Sequence, residues 1–431
     1  MTSTPDIAPP PRWRRIALAV CMFLITGVFG FLQPFVPLYL TSAGLSKSEY
    51  GLVSALGTGM ILLIQPILGR LSDRYDARRP FMVASAVCAG IAYLAYPYAS
   101  GLVLFTVLTA IGVNGFQYLN SVGGVLVGRL AAATGRAGGA TYVRYRVWGS
   151  VGYIFIALGA GILVNPTMTQ QATLSRADLE PLFRYGPLLF FVIGGVALVV
   201  PDLKRSALAA PSPPAPLTPP SPAARGRGAG GEGAPLANLN RFFLAYFLYQ
   251  FSLYGASAYL PLYMKQLGAK PLWITGMFAA GVISEVLMMS QVGRWTDTYG
   301  RRPALAIAFL LMPLRLLLYI PATGPLWVLM VQTLHGINFG IIGTIAIVFV
   351  NDQANDTNRG TLQARLTMTA GIGLALGPLT CGWLTEKIGM GGMFAAMSAV
   401  GVLAAIVFLT QVRESHPAPE MPRGLLGKLA G

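Results

Sequence analysis
The chain has 431 residues, of which 31 are Lys or Arg and 15 are Asp or Glu, for a net charge of +16. Only 11% of residues are charged and 54% are hydrophobic, with a mean hydropathy of +0.61; a soluble globular protein carries roughly 25% charged residues. A water-soluble fold of this length cannot hide that much apolar surface, which excludes a soluble protein and implies many membrane passes.

A helix crosses the hydrocarbon core in about 20 apolar residues. Arg12, Arg14 and Arg15 precede a first apolar run at about 16–40. That run is too long for a signal peptide and lacks a small-residue cleavage site, so it is read as a retained helix. Further runs follow at about 49–70, 80–99, 102–126, 141–164 and 183–201. Residues 204–236 hold eight prolines and five glycines and are expected to form a disordered linker. Six more runs lie at about 241–264, 271–293, 303–321, 326–350, 361–383 and 391–412. The expected fold is an all-α membrane protein with twelve transmembrane helices in two six-helix bundles. Its parts are a tail at 1–15, a bundle at 16–203, a linker at 204–239, a second bundle at 240–412 and a tail at 413–431.

With the N-terminus inside, the inner loops and tails hold 21 basic residues and the outer loops six. The positive-inside rule then puts both termini in the cytoplasm. The same scatter of basic residues argues against a nucleic-acid partner. The halves repeat in parallel. Pro37-Leu38-Tyr39-Leu40 returns as Pro261-Leu262-Tyr263-Met264, and Gly69-Arg70 with Asp73 returns as Gly293-Arg294 with Asp297, both at an offset of 224. Such repeats place a substrate site near mid-membrane, between the halves.

Cys21, Cys88 and Cys381 lie inside spans, and the histidines are His335 and His416 alone. These offer neither a disulfide framework nor metal-ligand spacing. No cofactor is expected, no enzyme site is recognisable, and no phosphate-binding loop suggests ATP drive. Sorting the acids by depth leaves Glu285 as the one carboxylate well inside a span. An ionised side chain there costs at least ~2.5–3.5 kcal/mol, so it must pair, protonate or face water.

The stretches GRLSDRYDARRP (69–80) and GRWTDTYGRRP (293–303) resemble the loop motif of the major facilitator superfamily. In it Gly69 and Gly293 would allow close helix approach. Asp73 and Asp297 would cap or pair, and Arg74, Arg78, Arg79, Arg301 and Arg302 would anchor the loops or gate. Residues 34–74 and RYRVWGSVGY (144–153) are further similar to the lactose permease and nucleoside and phenylpropionate proton symporter group. The resemblance implies a secondary transporter working by alternating access. It gives Arg146 the place of a sugar-contacting arginine, and gives Arg315 and His335 places in a proton-coupling network. ISEVLMM (283–289) is similar to that group's Glu-containing eighth span. Two acids of lactose permease are missing here. The fourth span reads NSVGGVLVG at 120–128, and Asn338 replaces the tenth-span carboxylate.

Arg146 lies roughly 8 Å and Glu285 roughly 12 Å from the inner ends of their spans at 1.5 Å per residue. The resemblance sets those spans face to face, so an Arg146–Glu285 pair is expected; the alternative for Arg146 is snorkelling to headgroups. Proton coupling is assigned to Glu285, with His335 and Arg315. Gln33, Gln117, Asn120, Tyr153, Trp148, Tyr254 and Asn338 are expected to join Arg146 around the substrate. The expected activity is proton-coupled transport of a sugar- or nucleoside-like solute by a monomer in the inner membrane. The alternative is proton-driven efflux of sugars or drugs.

Overall fold
The computed structural model describes residues 11–75, 77–133, 138–164, 174–200, 233–355 and 357–415, without the side chains of 131–133, 138–144 and 233–235. The expected linker as far as residue 232, Asp76, His416, the first ten residues and most of the C-terminal tail lie outside the described residues.

The described residues are almost entirely helical. The first crossing is split into α1 (Arg12–Leu32) and α2 (Val36–Ser42). Pro34 sits in the break, where its missing N–H ends the helical ladder. The second crossing pairs α3 (Lys47–Gly59) with α4 (Ile61–Arg74). α5 (Arg78–Leu94), α6 (Leu102–Ala133) and α7 (Gly138–Val164) are the third to fifth. α8 (Arg176–Tyr185) and α9 (Leu188–Ala197) share the sixth, broken at Gly186-Pro187.

The second half comprises α10 (Gly233–Gln266), α11 (Pro271–Tyr299), α12 (Arg301–Tyr319), α13 (Pro325–Asp352) and α14 (Arg359–Gln411). α14 turns at Gly389, whose φ of 73° suits a residue without Cβ, and so supplies two crossings. The described helices thus make twelve. One boundary differs from expectation: α10 begins at Gly233, inside the stretch read as linker. Pro235 falls within its first turn, the one place in a helix where proline is well tolerated.

The parallel repeat is written into side-chain bonds. Tyr39 donates to the Tyr96 carbonyl at 3.3 Å, and Tyr263 donates to the Tyr319 carbonyl at 2.7 Å. Tyr96 in turn bonds Thr109, and Tyr319 bonds Gln332. Arg79 Nε donates to the Val200 carbonyl and Arg302 Nε to the Val412 carbonyl, each at 2.8 Å.

Small residues set the helix spacing. A Cβ on Gly152 of α7 would overlap the Phe23 carbonyl of α1, and one on Gly336 of α13 would overlap Ser284 and the Glu285 backbone of α11. Without a hydrophobic drive between helices in lipid, such close approach supplies much of the association.

The bonds between bundles that fall among the described residues gather at the end remote from the start of α1. Glu386 accepts from the Ser48 N–H at 2.8 Å and from its hydroxyl. The Tyr259 hydroxyl donates to the Lys47 carbonyl at 2.9 Å, Tyr50 to Ala258 at 3.2 Å, and Lys265 Nζ to Leu174 at 2.8 Å. The two bundles are therefore latched together at that end.

Candidate site between the bundles
Arg146 stands on α7 in the first bundle and Glu285 on α11 in the second. Arg146 Nη2 and Glu285 Oε1 are 3.8 Å apart, an ion pair too long for a hydrogen bond. The arginine side chain is 33% exposed and the glutamate 10%, so the pair is sheltered yet open on the arginine side. Arg146 Nη1 reaches Ser150 Oγ at 3.2 Å, one turn along α7. Arg146, Ser150 and Tyr153 share one face of α7 at helical spacing. Phe29 stacks on Phe116 with centroids 4.5 Å apart and meets the Tyr153 ring at 6.4 Å. An aromatic wall therefore adjoins the charged pair.

Behind Glu285, within the second bundle, lies a buried polar chain. Arg315 is fully buried, and its Nη1 lies 2.7 Å from His335 Nδ1. Arginine can only donate, so Nδ1 accepts and the ring proton sits on Nε2. Arg315 Nε and Nη2 have no hydrogen-bond partner among the described residues. His335 packs beside Gly281, and the next residue, Gly336, presses against the Glu285 backbone. The Arg315–His335 pair thus stands one helical turn along α11 from the carboxylate.

The other expected substrate residues divide. Tyr153 is buried beside the pair, while Gln117 and Tyr254 are half-buried on α6 and α10. Gln33 is half-buried at the α1–α2 break. Three others are placed differently. Asn120 is exposed, about 120° around α6 from the buried Asn114 and about 60° from Gln117. Trp148 is half-exposed and lies two residues, or about 200° of helix, from Arg146. Asn338 is fully buried and donates to the Tyr249 hydroxyl at 3.1 Å and the Ala308 carbonyl at 3.0 Å, tying α13 to α10 and α12. These helices are apolar nearly all round, so sequence periodicity carried little sign of which face turned inward. Ser150, Phe29 and Phe116 were not foreseen. Ser150 was within reach of reasoning, because it stands four residues beyond Arg146 on the same helix.

The loop motifs work inside each bundle. Arg78 pairs with Asp73, and Arg301 pairs with Asp297 at 2.6 Å and with Asp352 at 3.3 Å. Arg302 also donates to the Leu409 carbonyl at 2.7 Å. Arg74 is exposed. Gly69 and Gly293 depart from expectation: a Cβ at either would meet nothing within 4 Å. The close approach expected of them is not made in this conformation, in which the latched end lies opposite.

Two parallel six-helix bundles with a charged, aromatic-walled site at their interface define a polytopic transporter of the secondary type. The MFS_1 like family model matches residues 15–396, and the chain belongs to that family of the major facilitator superfamily. The MFS-type transporter Rv2456c of Mycobacterium tuberculosis, itself described as uncharacterized, is 28% identical over 426 residues, 95% of each chain. The maltose permease of Geobacillus stearothermophilus is 25% identical over 422 residues, 94% of this chain and 97% of its own. Among solved structures, a mutant form of the nucleoside transporter NupG superposes with a TM-score of 0.75 at 16% identity, covering 92% of this chain and 99% of that one. At such identity the likeness concerns the fold.

Proposed function
We propose that this transporter moves a small polar organic solute, sugar- or nucleoside-like, in coupling to protons, by alternating access in the inner membrane with both termini cytoplasmic. The observation that carries the reading is the Arg146–Glu285 pair, which bridges the two bundles at 3.8 Å. A carboxylate that trades its arginine for a proton changes the attraction between the halves, which is the linkage a symporter needs. Arg146 offers a fork of donors to a hydroxylated ligand, and Tyr153, Phe29 and Phe116 offer ring faces. The relatives named as maltose permease and nucleoside transporter support this solute class. With the basic end in the cytoplasm, the latch at Ser48–Glu386 faces outward and the conformation is inward-facing.

The test has two stages. Sugars and nucleosides are first screened for a rise in the melting temperature of the purified protein, since ligands of the folded state stabilise it. Glu285→Gln is then reconstituted in vesicles with an imposed pH gradient. The variant should lose gradient-driven accumulation and retain exchange of labelled for unlabelled solute, because a neutral amide imitates the protonated acid permanently. Full accumulation by Glu285→Gln would transfer the proton-carrying role to His335.

A further inference from the structure
α1 and α7 touch tightly at mid-membrane, where Gly27, Gly30, Gly149 and Gly152 bring them together. Toward the end that carries the start of α1 they diverge around larger side chains. The result is a cavity of about 650 Å³, lined by Arg12, Arg15, Ile16, Val20, Phe23 and Trp148 among others. It is not the site between the bundles. Trp148 points about 200° away from Arg146, and on α7 Trp148, Phe155 and Ile162 form an exposed apolar stripe at seven-residue spacing. Ile16 and Val20 are likewise exposed on α1. In a membrane-spanning helix such a stripe faces lipid.

We propose that this groove binds one anionic phospholipid, its phosphate between Arg12 and Arg15 and one acyl chain along Ile16, Val20 and Phe23. Charge complementarity selects the occupant. Among the described residues Arg12 and Arg15 have no carboxylate partner, and Arg15 Nε is buried without a hydrogen bond. Arg14 Nε is likewise buried without a hydrogen bond, but Arg14 lies over the Trp13 ring and does not line the cavity. A free phosphate would satisfy the arginines but leave the apolar floor bare. A zwitterionic lipid would fill the floor and offer a phosphate, but its choline cation cancels the charge that two guanidiniums attract. The lining runs from Arg12 to Leu24, which at 1.5 Å per residue is about 18 Å and matches the depth of one leaflet. Basic pockets between transmembrane helices take anionic headgroups for these reasons.

The test uses the full chain, stripped of lipid in neutral detergent. Native mass spectrometry follows titration with phosphatidylglycerol or phosphatidylcholine of identical chains. One phosphatidylglycerol should be retained in preference to phosphatidylcholine. Arg12→Gln with Arg15→Gln should weaken it by more than tenfold, since each arginine near an anionic headgroup contributes about fivefold. Arg12→Lys with Arg15→Lys should keep most of the preference, and Arg14→Gln should change nothing. Val20→Trp, which fills the groove and spares the charges, should exclude both lipids. Equal retention of the two lipids, an unchanged Arg12→Gln/Arg15→Gln variant, or an effect of Arg14→Gln as large as theirs would overturn the proposal. So would displacement of phosphatidylglycerol by millimolar inorganic phosphate, which would make the arginines a free-anion site. Should the double glutamine variant fail to fold, Val20→Trp decides alone: a retained lipid overturns the assignment.

Discussion

Arg146 and Lys carry the same charge, which makes Arg146→Lys an informative substitution. The arginine reaches Glu285 and Ser150 through two different nitrogens, and a lysine has one. Losing a charge-assisted hydrogen bond to the solute costs ~1.5–3 kcal/mol. Solute affinity should therefore fall by about tenfold or more, read by melting shifts, while expression holds. Unchanged affinity would place Arg146 among structural residues. His335→Asn should act differently. His335 neighbours α11 one turn from Glu285, and its Nδ1 is the one acceptor found for the fully buried Arg315 among the described residues. An asparagine oxygen can still take that bond but has no ring to titrate. Binding should persist while gradient-driven accumulation falls, as measured in the vesicles that test Glu285→Gln. Undiminished accumulation would leave His335 as a partner of Arg315 and nothing more.

At the level of helices, glycine contacts fix where these side chains stand. Gly336 and Gly340 turn one face of α13 onto α11, at Ser284, Glu285 and Met288. Gly336→Leu cannot be accommodated without moving the backbone that carries Glu285. Overpacking of this kind costs ~1–3 kcal/mol. The variant should melt several degrees lower and lose transport, whereas Gly293→Leu, with nothing within 4 Å, should leave the melting temperature near wild type. A normal melting temperature for Gly336→Leu would mean that the contact yields. The contrast also shows what the sequence made legible. The crossings could be read because each must be about 20 residues long and apolar. The Arg146–Glu285 pair could be read because charges inside spans are few and must answer one another. The breaks at Pro34 and Gly186-Pro187 are visible as residues, yet proline also sits inside unbroken helices here, as Pro66 and Pro313 do. The facing of Asn120, Trp148 and Asn338 was illegible, because a helix surrounded by lipid and other helices shows no polar side from which to orient it. The G-x-x-x-G of residues 336–340 was legible in principle, as small-residue spacing at a helix interface.

For the molecule as a whole, the decisive feature is the position of its latch. Glu386 joins the second bundle to the start of α3 in the first through the Ser48 N–H and hydroxyl, while Tyr259 bonds the neighbouring Lys47 carbonyl. Alternating access requires the bundles to separate here in one half of the cycle. A covalent bridge across the latch should therefore stop net transport without disturbing the fold. Ser48→Cys with Glu386→Cys, in a background where Cys21, Cys88 and Cys381 are replaced by serine or alanine, supplies the test. A short bis-thiosulfonate reagent can span the side chains, whose hydroxyl and carboxylate already touch. Complete cross-linking should abolish accumulation, and cleavage by a reductant should restore it. Each single-cysteine variant should be insensitive to the reagent. The solute should still bind the bridged protein from the end that carries the basic loops, because the ion pair remains accessible from there on its arginine side. Transport that continues through a fully bridged latch would mean that this end does not open, and rocking of the two bundles about the Arg146–Glu285 level would have to be abandoned.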